Sequence, residues 1–410
     1  MRLPLVPILI SAFCCACSDP APLEEGAESA AEAGATSLDA TGPTAPSTDA
    51  AGIAAQDGGH RDSGASLDSA LSPEGGSSSA ARDGGVDGMS ADAAAATGAD
   101  AAVAKPSEVG HPHRFIASVH GGGADKLVYV DVDNAKQNWE LAVADGIQDF
   151  QLIGNNKLLV GYKFNFGYLE LDLTTHKIEL EVRDFLPRAE AILTSVKRLT
   201  NGHTVIMAQG LKNVASGAPG NLEVWEVDNK KTVHQMHTFK GCCGNLRVVR
   251  LTSEGHYLVG GDSALVELDQ TGTEVARMKS GGSPTYMGLK TADGSYYATN
   301  GHGGQLVAFA PGGQRRVIGG MGSASAQEVA IYQPAQFQIL QNGNIVITNW
   351  TAENGGQGKQ LVEYDPSGKM VWSWDDPAVR PQGMETLLVL DNLDPTVLND
   401  DRDGVLKPQH

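Results

Sequence analysis

The feature that most constrains this chain is a hairpin pattern that returns six times between residues 113 and 392. Its clearest copy, QLVEYDPSGKMVWSW at 360–374, sets two runs of alternating apolar residues on either side of Asp-Pro-Ser-Gly. That is the pattern of a strand, a tight turn and a returning strand. It recurs as LVYVDVDNAKQNWEL near Asp133, YLELDLTTHKIELEV near Asp172, NLEVWEVDNKKTVHQ near Asp228, ALVELDQTGTEVARM near Asp269 and QLVAFAPGGQRRVIG near Ala310. Subtracting successive positions, with Asp365 as the last, gives spacings of 39, 56, 41, 41 and 55 residues. Their mean, about 46, falls in the range of four-stranded propeller blades. A second element precedes the hairpins: KRLTNGHTVIMAQ, VRLTSEGHYLVGG, LKTADGSYYATNG and ILQNGNIVITNW, with a variant in FQLIGNNKLLVGY. Each places two apolar runs around a polar turn, so every unit holds four strands, here lettered A to D from the axis outward.

The expected fold is therefore all-β, a six-bladed β-propeller over residues 112–393. Its ends test the idea, because a propeller closes its circle or leaves sheet edges exposed. The first unit, RFIASVHGGGADKLVYVDVD, supplies strands B, C and D but no A. After the sixth unit comes METLLVLDNL at 384–393, a strand with no following partner. It is predicted to become the innermost strand of the first blade and so join the two ends of the domain.

The remainder of the chain differs sharply in composition. Residues 1–17 open with Arg2, continue in an apolar run from Leu3 to about Phe13 and end in small residues and cysteines. This reads as an export signal, and the run is far shorter than the roughly 20 residues of a spanning helix. Residues 18–111 are almost entirely Ala, Gly, Ser, Asp, Glu, Thr and Pro. They hold 16 acids and 3 bases, a net of −13 out of the formal −19 of the whole chain. Such a segment lacks the apolar surface to offset chain entropy and is expected to be a disordered, extended acidic linker. No segment offers the basic patch that nucleic-acid binding requires. Residues 394–410 form an Asp-rich C-terminal tail, expected to be solvated.

Two resemblances add to this reading. The end of the signal resembles a bacterial lipoprotein lipobox, with Ala16 before Cys17 and Ser18 after it, although Cys14 stands where the family prefers leucine. The resemblance implies lipidation of Cys17 and a membrane anchor, either periplasmic or surface-facing at the outer membrane; ordinary cleavage would leave a secreted protein. The hairpin repeat resembles that of PQQ-like, quinoprotein-type β-propellers: Asp365, Gly368, Lys369 and Trp372 match it, and Asp133, Lys136 and Trp139 match in part. In that family the tryptophan docks on a neighbouring blade. Six-bladed TolB-like propellers would look much the same, and the motifs specify fold far more than function.

In a propeller the B–C loops and the crossings from D to the next A share one face, and function concentrates around the channel mouth there. The B–C loops bring His120, Lys163, Asp262, Asn300, His302, Asn349 and Trp350 to that face. The crossings bring Gln148, Arg188, Glu190, Cys242, Cys243, Tyr286, Gln333, Arg380 and Gln382. An exported chain meets an oxidising environment, Cys14 and Cys15 leave with the signal and Cys17 takes lipid. Cys242 and Cys243 then have only each other, which predicts a vicinal disulfide. PQQ-dependent alcohol dehydrogenases have such a ring beside the cofactor, but they have eight blades and an acidic calcium site not found here. A structural role is preferred over redox chemistry.

His120 and His302 sit in glycine-flanked loops; a ligand pair or an acid and base is the alternative to plain turn chemistry. Asn399, Asp401, Asp403 and Gly404 match the first half of a calcium loop, whose bidentate Glu would fall at His410. There is no Gly-x-Ser-x-Gly, phosphate loop or HExxH. Together these features point to a monomeric, tethered, extracytoplasmic propeller that binds a protein or small-molecule ligand. No cofactor is expected, with PQQ and Ca2+ as alternatives. The competing class is an enzyme at the channel mouth, either a quinoprotein-like oxidoreductase or a hydrolase or lyase.

Overall fold

The structure is a computed structural model, and its described residues belong to one compact unit, Thr97–His410. They are residues 113–120, 125–144, 146–164, 167–183, 191–210, 220–323, 329–352, 357–377 and 383–409. The export signal, Cys17 and the linker lie outside the described residues.

Six four-stranded antiparallel sheets stand in chain order around an axis. The first contains β1 (Arg114–His120), β2 (Asp125–Asp131) and β3 (Trp139–Val143), the second β4 (Ile147–Leu152), β5 (Lys157–Tyr162), β6 (Gly167–Asp172) and β7 (Lys177–Val182). The third holds β8 (Ala191–Arg198), β9 (Thr204–Gly210), β10 (Gly220–Val227) and β11 (Val233–Cys243), the fourth β12 (Val249–Leu251), β13 (Tyr257–Gly261), β14 (Ala264–Leu268) and β15 (Glu274–Lys279). β16 (Met287–Lys290), β17 (Tyr296–Thr299), β18 (Gln305–Phe309) and β19 (Arg315–Gly320) make the fifth; β20 (Pro334–Ile339), β21 (Ile345–Asn349), β22 (Leu361–Tyr364) and β23 (Met370–Trp374) make the sixth. β24 (Gly383–Val389) then returns to the first sheet and pairs with β1, Phe115 opposite Val389 and His120 opposite Gly383. The closure expected from METLLVLDNL is thus what forms, and the innermost strands touch their neighbours all the way round. The fold is an all-β, six-bladed propeller.

Burial follows distance from the axis. β4 and β24 are buried at every residue, whereas β7 and β15 expose most of theirs. The core lies between blades: Ile318, Phe337, Val362 and Tyr364, for example, close the gap between the fifth and sixth. The recurrent aspartate has a local reason. Oδ1 of Asp172, Asp228, Asp269 and Asp365 accepts amide hydrogens from residues two to four further on, which fixes each C–D turn. Chiefly through the Thr232 amide, Asp228 is held down to about 2. In the first blade this cap is Asp131, whose Oδ1 accepts from the amides of Asp133 and Asn134, and not Asp133 as the repeat alignment placed it. The longer turn there shifts the cap by two residues. Trp372 meets His113 of the first blade edge-on at 4.5 Å, and Trp139 meets His176 of the second at 4.7 Å. Both tryptophans therefore dock the blade that follows.

The tail departs most from expectation. Beyond β24 the chain crosses the A–B face of the ring instead of entering solvent. Leu398 bridges Ile153, Val405 bridges Ile339, and β25 (Asn399–Asp400) pairs with β26 (Lys407–Pro408). Asn399, Asp400 and Asp401 are buried, because Lys197 and Arg250 on the inner strands supply counter-charges at 3.4 and 3.2 Å from Asp401. Leu406 adds apolar burial against the blade 1 and 2 core.

The circular seam carries one further contact. His113, just before β1, reaches Asp391 beyond β24 through Nδ1 at 2.5 Å and Glu363 of β22 through Nε2 at 3.0 Å. Burial opposes its charge, but the two carboxylates outweigh burial and raise the imidazole from 6.5 to about 9. A raised basic group contributes fully below 6.5 and loses its contribution as pH rises through about 9. Urea unfolding is therefore expected to show the wild type losing ~1–3 kcal/mol more than His113→Gln between pH 6.5 and 10. Equal losses would remove the seam charge as a stabilising element.

Candidate functional site

The axis is lined by polar side chains that interrupt otherwise apolar inner strands. At its waist Arg250 of β12, only 4 % exposed, binds Asp149 of β4 through Nη2 at 2.9 Å and Nη1 at 3.0 Å. The same guanidinium donates to Ser195 of β8 at 3.1 Å and to Gln336 of β20 at 3.4 Å. Gln336 donates on to the Gln148 carbonyl and to Thr386 of β24. One arginine thus ties four blades together across the axis, as a buried charge requires when its partners must be hydrogen-bonded as well as opposite in sign. Below it the tail closes the channel, leaving a cavity of about 30 Å³ among Phe150, Met287, Phe337, Leu388, Arg250 and Asp401. That is room for about one water.

Above the waist lies the mouth. Glu385 of β24 sits at its wall, with Lys163 Nζ at 2.9 and 3.0 Å from its two oxygens and His120 Nε2 at 3.3 Å. Burial pushes the Glu385 carboxyl up, but Lys163, His120 and Arg247 outweigh it and hold it below its ordinary 4.5. Arg247 precedes β12 in the fourth blade, diametrically opposite the first, and its positive charge adds to the lowering of Glu385. Its guanidinium lies 5.6 Å from the Tyr286 ring centroid, and its Nε is buried without a hydrogen-bond partner. Three further mouth atoms are in the same state: Gln148 Oε1, Gln333 Oε1 and Trp350 Nε1. Gln148 is 2 % exposed and Gln333 8 %. Buried polar atoms of this kind are few in folded proteins.

His120 links Ser118, at 3.0 Å from Nε2, to Asp125, at 2.8 Å from Nδ1. The arrangement has the order of a nucleophile, base and orienting acid. Yet Ser118 is fully buried and its Oγ accepts the Thr386 amide, so the chain encloses that oxygen and joins β1 to β24 with it.

Of the residues singled out in the sequence, the structure brings His120, Lys163 and Trp350 together. His120 and Trp350 have ring centroids 5.5 Å apart. Tyr286 supports Arg247, and Gln148 and Gln333 join the group. Asn300 and Asn349 are loop struts: Asn300 binds Ser280 and Gln305, and Asn349 binds the main chain at 330, 332, 333 and 359. Asp262 and His302 are exposed in their turns, and His302 does not join His120. Cys242 is half-buried near the end of β11, in a cleft with Leu268, Thr271 and Glu274 of the fourth blade. Cys242 thus lines a cleft between the third and fourth blades, just before the crossing from β11 to β12; the Cys243 side chain, and with it the predicted ring, lies outside what is described. Arg188, Glu190, Arg380 and Gln382 also lie outside the described residues. Sequence reasoning missed Glu385, Arg247, Asp149 and Arg250. The available signal was a charge inside or just before an apolar inner strand, in METLL, NLRVV, IQDF and VRL.

These features define the class as a six-bladed β-propeller with one face closed and a polar mouth on the other. No protein-family model matches the sequence, and no curated protein matches it. Among solved structures, a protein of unknown function from Bacteroides caccae is similar in fold, with a TM-score of 0.54 at 19% identity over 68% of this chain and 99% of that one. A catalytically inactive variant of virginiamycin B lyase from Staphylococcus aureus, solved with quinupristin, gives 0.41 at 9% identity over 64% and 85%. A chain of a nidogen/laminin complex gives 0.48 at 9% over 67% and 97%.

A lowered carboxylate contributes fully above its ordinary value and loses that contribution as pH falls through the folded value. Wild-type stability should therefore fall below about pH 4.5 as Glu385 protonates. At pH 7, Glu385→Gln, which leaves Lys163 without its counter-charge, is expected to cost ~2–4 kcal/mol and to flatten the acid limb of the stability curve. Chemical denaturation across pH 3–7 measures both.

Proposed function

We propose that this chain is an exported binding module, anchored through lipid on Cys17, spaced from the membrane by residues 18–111, and binding a small polar ligand with an anionic group at the channel mouth. The observation that carries this reading is Arg247. Among the described residues its guanidinium has no hydrogen-bond or ion-pair partner, although it stacks on Tyr286 in a setting of buried, unpartnered polar atoms. A planar guanidinium offers paired donors suited to a carboxylate or phosphate. Gln148, Gln333 and Trp350 supply the neutral donors and acceptors that would orient the rest of the ligand. With the A–B face closed, binding and release use the same opening.

The enzyme alternative rests on the Ser118–His120–Asp125 relay. It ranks second because Ser118 is enclosed and already accepts a main-chain hydrogen.

Calorimetry of the mature chain against a panel of small carboxylates and phosphates is expected to find a ligand whose affinity drops about tenfold or more in Arg247→Ala, the scale of a lost charge-assisted pair. Ligands whose binding Arg247→Ala leaves unchanged would place recognition elsewhere. Separately, Cys17→Ser is expected to move the protein from the membrane to the soluble fraction; an unchanged membrane fraction removes the tether.

A further inference from the structure

The buried tail contains a second set of unpartnered atoms, remote from the mouth. Asn399, Asp401 and Asp403 alternate along the chain, and Gly404 follows with φ at 87°. Oxygen-bearing side chains at the first, third and fifth places, with glycine in a left-handed turn at the sixth, open the loop that wraps Ca2+. Asn399 is fully buried and Asp401 is 9 % exposed. The Oδ1 atoms of Asn399, Asp401 and Asp403 are all buried, and none has a hydrogen-bond partner.

The surrounding contacts fix which atoms these are. Asn399 Nδ2 donates to the Asp394 and Val397 carbonyls at 2.7 and 2.9 Å, which assigns its oxygen to the opposite side. Each carboxylate is held through its other oxygen. Asp401 Oδ2 faces Arg250 Nε at 3.2 Å and Lys197 at 3.4 Å, and Asp403 Oδ2 takes Lys407. Lys197 also comes within 3.4 Å of Asp401 Oδ1, a charge contact without a hydrogen bond. Three oxygens in strict alternation are thus left without donors at a place water barely reaches, where such atoms ordinarily have a partner. Among the described residues no three His, Cys, Asp or Glu side chains group to hold a metal; here the third side chain is an amide. An all-oxygen set selects a hard cation.

We propose that the loop Asn399–Gly404 binds one Ca2+ through the Oδ1 atoms of Asn399, Asp401 and Asp403 and the Val405 carbonyl, and so locks the C-terminal segment against the channel. Water completes the shell. Lys197, Arg250, Arg402 and Lys407 compete with the ion, and the twelfth place is His410, outside the described residues. The affinity expected is that of weak extracellular sites, with Kd roughly 10⁻⁴–10⁻³ M.

The test uses the metal-stripped mature chain titrated with CaCl2 by calorimetry and by thermal melting. One Ca2+ should bind, and about 5 mM should raise Tm by ~3 °C, with Mg2+ giving less than about a third of that rise. Asp403→Ala should weaken binding about tenfold or more. Lys407→Gln, at a half-exposed position, should strengthen it roughly two- to fivefold by removing a competing charge. A purely structural Asp403–Lys407 pair gives no such gain. Absence of Ca2+ uptake by the wild type up to about 10 mM, or uptake that neither variant alters, overturns the proposal.

Discussion

Everything in this propeller depends on one antiparallel pairing, that of β24 with β1. Without it the first sheet would lack its innermost strand, and the gap would lie where burial is greatest. The pairing also delivers chemistry, because β24 carries Glu385 to the mouth and Thr386 to the waist. The strand that seals the ring is therefore also a wall of the candidate site. Ser118 and His113 strengthen the same join from β1 and its approach, through the Thr386 amide and Asp391. Strand closure and side-chain closure coincide there, so the seam is reinforced where two distant parts of the chain meet.

The axis shows a second constraint. Inner strands converge too closely for large apolar side chains to fill every level, and the polar groups that enter must be mutually satisfied. At the waist Arg250 reaches Asp149, Ser195, Gln336 and Asp401 at once, its two Nη groups hydrogen-bonded and its Nε in charge contact with Asp401 without a hydrogen bond. At the mouth Arg247, Gln148, Gln333 and Trp350 keep buried atoms without partners. The hydrogen bonds of the waist fix the blades relative to one another, and the mouth above gathers four residues with unpartnered buried atoms.

Fold was far more legible in the sequence than site, for a physical reason. Period-two alternation and turn chemistry are local, so QLVEYDPSGKMVWSW announces its hairpin without reference to anything distant. The missing strand of the first unit and the extra strand after the last likewise imply the closure. The site depends instead on which inner-strand residues face the axis, and bulges blur that parity: the register shifts between Ile147 and Asp149, Leu193 and Ser195, and Pro334 and Phe337. A one-residue shift turns a side chain to the other face. Loop position was legible and role was not: His120 and Lys163 point to Glu385, while Asn300 and Asn349 tie down their own loops. The tail misled for a related reason. NDDRDG looks solvated by composition, and only Lys197 and Arg250, far away in sequence, explain its burial.

The plugged face changes what this ring can do. A propeller open at both ends offers a passage, whereas one closed at the waist by Arg250 and below by the tail offers a cup. In a cup, the two ends are coupled through the groups they share. Asp401 from below and Asp149 from the waist hold the same guanidinium, and Gln336 passes that restraint to the Gln148 main chain at the base of the mouth. Displacing the tail would remove one of the two carboxylates on Arg250 and leave a buried cation under-compensated, which is strongly unfavourable. The tail and the base of the mouth thus share one restraint, the Arg250 guanidinium and the Gln336 amide beside it, with Thr386 as the second donor to the Gln148 carbonyl.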